Sequence, residues 1–285
     1  RKDDWRARQP IQEGESPTYG GFYTQDQIKE IVAYAAERGI EIIPEIELPG
    51  HSCEVFAAYP QLSCTGKRQD VTPGGYYKDL QTCFCAGNED VFKFLEDILD
   101  ETMALFPSKY IHIGADEVNK SYWKKCPKCQ QRLQDEHLQN VEELQSYFVK
   151  RMEKFINSKG KNLICWDEII EGGLAPNATV MSWRGISGGI EGAKSGHDVI
   201  MTPENFIYYD YYQNLPDHEP VAIGGLNTLK SIYDFDPVPK ELNKKEAKHI
   251  LGAQANLWSE WILTFSHVQY MSLPRMSALS EVVWS

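Results

Sequence analysis

Residues 110 to 118 read YIHIGADEV, a short run of strand character that ends in two adjacent acids, Asp116 and Glu117. Two carboxyls side by side at the end of a buried strand are costly, because each negative charge makes the other harder to ionise. The cost makes sense if the pair divides labour. Glu117, beside a second negative charge and partly desolvated, would keep its proton to higher pH and protonate a leaving oxygen near neutrality. Asp116, kept ionised by other hydrogen bonds, would hold a developing positive charge or orient a substrate amide. Adjacent strand residues point to opposite faces, so both can border one pocket only if the chain turns at the strand's end. The plainer alternative is a helix-capping Asp and a surface Glu, and the dipeptide alone does not decide between them.

Other polar and aromatic residues gather at similar places. Glu45, Glu47 and His51; Trp166, Asp167 and Glu168; Trp183 and Arg184; Tyr208 and Asp210; and Trp258 and Glu260 each sit at or just beyond the carboxyl end of a strand-like run. Trp166, Trp183 and Trp258 at strand ends would offer flat apolar walls to a sugar ring or an acetamido methyl, with Asp210 and Glu260 accepting hydrogen bonds from hydroxyls. A single Trp is more often core than ligand platform, but three on one rim point the other way. His51, after Pro49 and Gly50, reads by itself as a loop cap.

The elements that must hold these residues alternate. TQDQIKEIVAYAAERG predicts a helix capped by Thr24, with Ile28, Ile31, Val32 and Ala35 on one face and Gly39 just past its end. IEIIPEI follows as a buried strand. NEDVFKFLEDILDETMALFP then predicts a helix with Val91, Leu95, Ile98 and Leu99 inward, handing over to YIHIG. VEELQSYFVKRMEKFINSKG and LICWDE repeat the unit, as do TVMSW, a short helix from Ser187 and DVIMTP. HILGAQANLW is the last strand and HVQYMSLPRMSALSEVV the last helix.

Helix–strand alternation predicts an α/β fold with parallel βαβ units, and no Gly-x-Gly-x-x-Gly follows a strand. A closed TIM-type (β/α)₈ barrel is favoured over an open sheet, because only closure points all these strand ends at one site. Six strands are visible, which read as strands three to eight of one catalytic domain over residues 1–285. The first two would lie upstream, in a larger protein.

Bulk properties narrow the partners. The 285 residues carry a formal net charge of −12, which argues against a nucleic-acid backbone or an anionic membrane as partner. No apolar run is long enough to span a bilayer, so membrane insertion is not expected. Seven cysteines are an odd number and too few for a disulfide scaffold. Cys126 and Cys129 in CPKC, with Cys83 and Cys85 in CFC, would make a four-thiolate zinc site only if two separate loops met in space. Otherwise they are buried or loop cysteines, with one disulfide at most. A zinc hydrolase built on those thiols is the corresponding alternative class.

The motifs PEIELPGHS, YIHIGADEV, LICWDEI, VMSWRG, YYDYY, NLWSE and SEVVWS, with WR at Trp5, occur in an order that resembles the β-N-acetylhexosaminidases of glycoside hydrolase family twenty. The resemblance implies a (β/α)₈ barrel that removes terminal β-linked N-acetylglucosamine or N-acetylgalactosamine with retention, and no cofactor or metal enters that reaction. It implies that the substrate's 2-acetamido oxygen attacks the anomeric carbon, giving an oxazolinium intermediate. Glu117 would serve as acid and then base, Asp116 would accept the acetamido N–H, and Tyr208 would bond the acetamido oxygen. Trp166, Trp183 and Trp258 would enclose the acetyl methyl, Asp210 and Glu260 would bind outer hydroxyls, and His51 would tune Glu117. A glycan or glycoconjugate is the partner so implied, and an exported site suits glycan scavenging. The family usually has Gly where Ala115 stands. Its substrate-gripping arginine lies on a first strand absent here, and its acidic stretch before WR is echoed only by Asp3 and Asp4. These departures leave a carbohydrate-binding or inactive fragment as the alternative reading.

Overall fold

A computed structural model describes residues 20–71 and 80–285. The segments around Asp3, Asp4 and Trp5 lie outside the described residues. By contact density the chain forms two compact units, one running to Ala178 and the other from Thr179 to Ser285.

In the first unit the helix signals hold. Thr24 caps α1 (Gln25–Ala36) through a reciprocal capping box with Gln27. Ala35 is buried, whereas Ile31 is 42% exposed, so the expected apolar face is only partly covered by described residues. A short helix α2 (Cys53–Ala58) follows the PEIELPGHS segment. Asn88 caps α3 (Glu89–Leu105), which buries Val91, Leu95 and Leu99 as expected, while Ile98 is half-buried. After strand β1 (Tyr110–His112) come α4 (Pro127–Asp135), α5 (Val141–Ser158) and strand β2 (Asn162–Trp166). α3 and α5 pack together through Phe92 and Phe148, whose ring centroids are 5.0 Å apart. β1 and β2 pair in parallel, Tyr110 with Asn162 through His112 with Ile164.

IEIIPEI departs from expectation. Only its carboxyl end joins β1: His112 N–H donates to Pro44, Ile46 N–H to His112 and Leu48 N–H to Ile113, at 2.8 to 3.0 Å. Glu45 and His112 form an isolated parallel bridge rather than part of a long strand. Pro44 has no N–H to contribute, which shortens the ladder. The described residues therefore contain five strands and this ladder in place of six full strands.

The second unit holds three parallel strands, β3 (Thr179–Ser182), β4 (Val199–Met201) and β5 (Ile250–Ala253), with α6 (Ser187–Lys194) between the first two. Val180 pairs with Val199, and a register irregularity separates Val199–Ile250 from Ile200–Gly252. Short helices α7 (Glu204–Ile207) and α8 (Leu229–Tyr233) follow β4. The expected last helix is two, α9 (Phe265–Ser272) and α10 (Arg275–Trp284). Pro274 explains the break: it lacks an N–H, and it forces Leu273 into the extended region. The fold class is thus α/β with parallel strands, as the alternation predicts.

Candidate active site

The predicted residues fall into two groups, one in each unit. In the first, β1 runs through the buried Ile113 into Gly114, Ala115, Asp116 and Glu117, and the turn the two acids require is made by left-handed backbone. Gly114 has φ +67°, Ala115 +73° and Glu117 +47°. His51, at φ +42°, lies in the facing loop. Three of the four non-glycine residues with positive φ among those described are therefore His51, Ala115 and Glu117, and such strain persists only where surrounding contacts impose it.

His51 joins the acids. Its Nε2 lies 3.3 Å from Glu117 Oε2, and its Nδ1 lies 3.8 Å from Asp116 Oδ2 and 3.9 Å from Glu47 Oε2. Hydrogen bonds to Glu117 and Glu47 raise His51 to about 10 against the opposing effect of burial. Burial pushes Glu47 up to about 8, with the charge of Asp116 adding to it, and the protonated Glu47 donates to Asp116. Burial also raises Asp116 above the ordinary carboxylate range. Glu117 behaves oppositely to the expectation. The hydrogen bond from His51 holds it below its usual value, although partial burial opposes this. The proton expected on Glu117 therefore rests on His51, and the carboxyl that keeps its proton is Glu47.

The other oxygen of Asp116, Oδ1, is buried and has no hydrogen-bond partner among the described residues. Leaving a buried carboxylate oxygen unsatisfied costs about 1–3 kcal/mol or more, so the atom is set up for a donor that arrives later. The surroundings are fixed by Glu45, Glu47 and Trp166, which the residue patterns singled out, and by Gln145, which they did not. Glu47 Oε1 accepts from Ala115 N–H at 3.2 Å, and Gln145 of α5 donates to the Ala115 carbonyl at 2.7 Å. Trp166 is buried, its indole N–H donating to Glu45 at 3.0 Å and its backbone N–H to Gly114. Glu45 and Glu47 carried a signal in their place at the carboxyl end of a strand-like run, whereas Gln145 sits among the inward residues of a helix and carried none.

Gly114 leaves no room for a side chain. A Cβ there would lie 1.9 Å from Glu47 Oε2 and 2.2 Å from the carboxyl carbon. Gly114→Ala should displace Glu47 and lower stability by roughly 1–3 kcal/mol in denaturant melts. By removing one of the contacts that raise His51, it should also lower the His51 titration midpoint followed by NMR. Ala115→Gly should stay within about 1 kcal/mol of the parent. Relief of roughly 1–2 kcal/mol of left-handed strain is offset by loss of a buried methyl, about 0.8 kcal/mol, and by the added chain entropy of glycine. That balance accounts for an alanine at a position where the resembling family carries glycine.

The second group is built on the YYDYY segment after α7. Tyr208 is buried and pairs with Asn256 in an isolated parallel bridge, Tyr209 N–H donating to Asn256 and Asn256 N–H to Ile207. Burial raises the Tyr208 phenol well above the ordinary tyrosine range, while the neighbouring Asn256 and Trp258 side chains oppose the rise. Trp183 stacks near Tyr208 with centroids 6.3 Å apart and an interplanar angle of 28°. Trp258 is 38% exposed and Glu260 is exposed. Asp210 is buried, and its Oδ1 also has no hydrogen-bond partner among the described residues. Burial pushes Asp210 up to about 7, and the charge of Glu260 adds to the rise.

This group has an organiser with no sequence signal, Arg275. Fully buried at the start of α10, it donates from Nη1 to Tyr211 and Asn227 and from Nη2 to Tyr209, while its Nε reaches Met271. Tyr209 O–H donates to the Arg275 carbonyl in return.

Asp210 supplies a pH prediction. Its folded-state value exceeds its unfolded one, so the folded chain holds a proton that the unfolded chain has released, and stability falls as pH rises from about 4 to about 7. Asp210→Asn removes that penalty. Its denaturation midpoint should exceed the parent's by a free energy of roughly 2–4 kcal/mol at about pH 8 and by clearly less at about pH 5.

Comparison with known proteins gives the family of the chain. Residues 3–285 match the model of glycosyl hydrolase family 20, catalytic domain. The chain is 50% identical over 274 residues to a beta-hexosaminidase of Porphyromonas gingivalis, covering 96% of this chain and 35% of that one. It is 38% identical to a beta-hexosaminidase of Vibrio furnissii, covering 92% and 43%. It thus spans between a third and a half of the length of these relatives. Among solved structures, a beta-N-acetylhexosaminidase from Bacteroides fragilis superimposes with a TM-score of 0.80 at 32% identity, over 95% of this chain and 54% of that one. A Vibrio harveyi exo beta-N-acetylglucosaminidase in complex with N-acetylglucosamine gives 0.82 at 30% identity, over 97% and 44%. With nearly every residue inside the family model and the acid pair set in a strained, preorganised turn, the chain belongs to the catalytic domain of glycosyl hydrolase family 20.

Proposed function

We propose that this chain is the catalytic domain of a β-hexosaminidase with a (β/α)₈ barrel, which removes terminal β-linked N-acetylhexosamine with retention by substrate-assisted catalysis. Family 20 is among the exceptions to the two-carboxylate retaining scheme, in which an enzyme carboxylate attacks the sugar. The observation that carries the reading is the buried, unpartnered Asp116 Oδ1 beside an acid that is hydrogen-bonded to a protonated imidazole. An acetamido N–H is a donor that would satisfy this oxygen, and the negative charge left on Asp116 by its Glu47 partner would stabilise the cation that follows.

In the first step the acetamido oxygen forms a bond to the anomeric carbon as the glycosidic C–O bond breaks, and Glu117 delivers a proton to the leaving oxygen. Glu117 draws that proton from His51 across their hydrogen bond, once a bound sugar displaces water and raises the carboxyl by desolvation. In the second step the Glu117 carboxylate takes a proton from water, which attacks the oxazolinium and restores the acetamido group. Tyr208 donates its O–H to the acetamido oxygen, Trp166, Trp183 and Trp258 wall the acetyl methyl, and Asp210 and Glu260 accept from outer hydroxyls. Holding the acetamido group in attack geometry contributes on the order of 7 kcal/mol in well-oriented intramolecular models.

The test compares nitrophenol release from nitrophenyl N-acetyl-β-glucosaminide and from the matching β-glucoside, which lacks the acetamido group. Rapid release from the first and negligible release from the second is expected. Equal rates would overturn acetamido participation. Calorimetric binding of N-acetylglucosamine without any turnover would make the chain a carbohydrate-binding module instead.

A further inference from the structure

The structure brings four cysteines together, and they are not the four that the motifs suggested. Cys64, Cys85, Cys126 and Cys129 place their sulfurs within 4.8 Å of one another, with Cys64 half-buried and the other three buried. Cys83 is left out, its thiol turned to the Asn119 carbonyl at 3.2 Å. All seven cysteines are free thiols, so the single disulfide allowed from the sequence does not form.

The spacing of the sulfurs is informative. Cys64–Cys129, Cys85–Cys126 and Cys85–Cys129 are each 3.7 Å apart. A disulfide needs about 2.05 Å, whereas a regular tetrahedron with metal–sulfur bonds of about 2.3 Å has edges of about 3.8 Å. The observed separations match the tetrahedron. Four sulfurs and no oxygen ligand suit a soft, four-coordinate cation and exclude calcium or magnesium. We propose that Cys64, Cys85, Cys126 and Cys129 bind one zinc ion in a closed structural site, distinct from the acid cluster.

The local sequence and backbone are built for it. Cys126 and Cys129 have the C-x₂-C spacing and straddle the start of α4, where helix N–H groups favour thiolate charge. Gly87, two residues after Cys85, lies so close to this turn that a Cβ would fall 2.2 Å from the Lys128 carbonyl and 2.5 Å from Cys129 N. Only glycine lets the two ligand-bearing segments meet. Four thiolates on a divalent ion carry two net negative charges, and residues 119–134 supply Lys120, Lys124, Lys125, Lys128 and Arg132 without a single acid, in a chain of net charge −12.

The site is also wired to the acid cluster. Phe84 N–H donates to Pro49 and Ser52 N–H to Thr82, both at 2.9 Å, which fixes the loop that carries His51. The fully buried Trp123 donates to the Phe84 carbonyl at 2.8 Å, and Cys83 holds Asn119, two residues beyond Glu117. An ion clamping Cys85 to α4 therefore braces both loops that set the His51–Glu117 contact.

The test is metal analysis of the protein purified reduced, without chelator, from zinc-supplemented medium. About one zinc per chain is expected, released by an organomercurial as the thiols are titrated. Cobalt put in its place should show the thiolate charge-transfer and d–d bands of a tetrahedral site. Cys64→Ser, at the half-buried ligand, should lose zinc, and Cys83→Ser should retain it. Removing the metal should lower the melting midpoint by on the order of 10 °C. A metal-free chain with four freely titrating thiols, two disulfides by mass spectrometry, or zinc lost in Cys83→Ser but kept in Cys64→Ser would overturn the proposal. Iron in place of zinc would overturn the choice of metal. Zinc binding by a chain without glycosidase activity would leave this inference standing and count only against the proposed function.

Discussion

Glu117→Gln should lower kcat for glycoside substrates by about 10²- to 10⁴-fold, the usual contribution of a positioned acid–base group. The loss should depend on the leaving group. A nitrophenolate departs with little help from a proton, so the first step should be only mildly impaired and the second step, in which Glu117 activates water, should become limiting. An unactivated disaccharide needs the proton and should suffer the full loss in the first step. Pre-steady-state release of nitrophenol followed by slow turnover is the expected trace; an unimpaired variant would remove Glu117 from the mechanism. The substitution also has a physical readout independent of turnover. The hydrogen bond to Glu117 is the largest cause holding His51 up at about 10, so the His51 titration should move down toward the ordinary histidine range in the variant. A histidine midpoint that does not move would show that the 3.3 Å contact between the two side chains is absent in solution.

Arg275→Met should be among the most destabilising single changes in the second unit, at about 3–5 kcal/mol. Burial lowers Arg275 to about 10, so it is still a cation at neutral pH. Backbone carbonyls satisfy it: Nη1 reaches Tyr211 and Asn227 at 3.1 and 3.0 Å, Nη2 reaches Tyr209, and both Nε and Nη2 reach Met271. Methionine fills much of the volume but leaves these acceptors without donors, and a hydrogen bond from a charged donor is worth about 1.5–3 kcal/mol. Lysine keeps the charge but has no planar fork, so Arg275→Lys should recover only part of the loss. Tyr209→Phe removes one bond, 2.8 Å to the Arg275 carbonyl, and should cost about 1 kcal/mol. Denaturant midpoints of the three variants give the order; a neutral Arg275→Met would mean that the YYDYY segment is held by its other contacts. Because Tyr208 and Asp210 lie on that segment, any residual folded Arg275→Met should also lose affinity for N-acetylglucosamine in calorimetry.

The sequence by itself determined the elements that depend on neighbours along the chain. The cap at Thr24 and the apolar face of α3 form as their spacing predicts, because helix signals act within a few residues. The same holds for the alternation of parallel strands and helices, and for the adjacency of Asp116 and Glu117 at a strand's end. Pro274 was a local signal too, sufficient to divide the last helix. Tertiary structure decided what those acids are. A carboxyl's proton affinity depends on what lies across from it, and the partners of Glu117 come from a loop 66 residues away in sequence. Charge repulsion between neighbours suggested that Glu117 keeps its proton, but a protonated His51 holds it ionised, and the buried Glu47 keeps the proton instead. Arg275 and Gln145 act through backbone carbonyls that only folding brings within reach. The same physical reason made Cys64 rather than Cys83 the fourth thiol: motifs record spacing along the chain, while a tetrahedron of sulfurs is set by where separate loops meet.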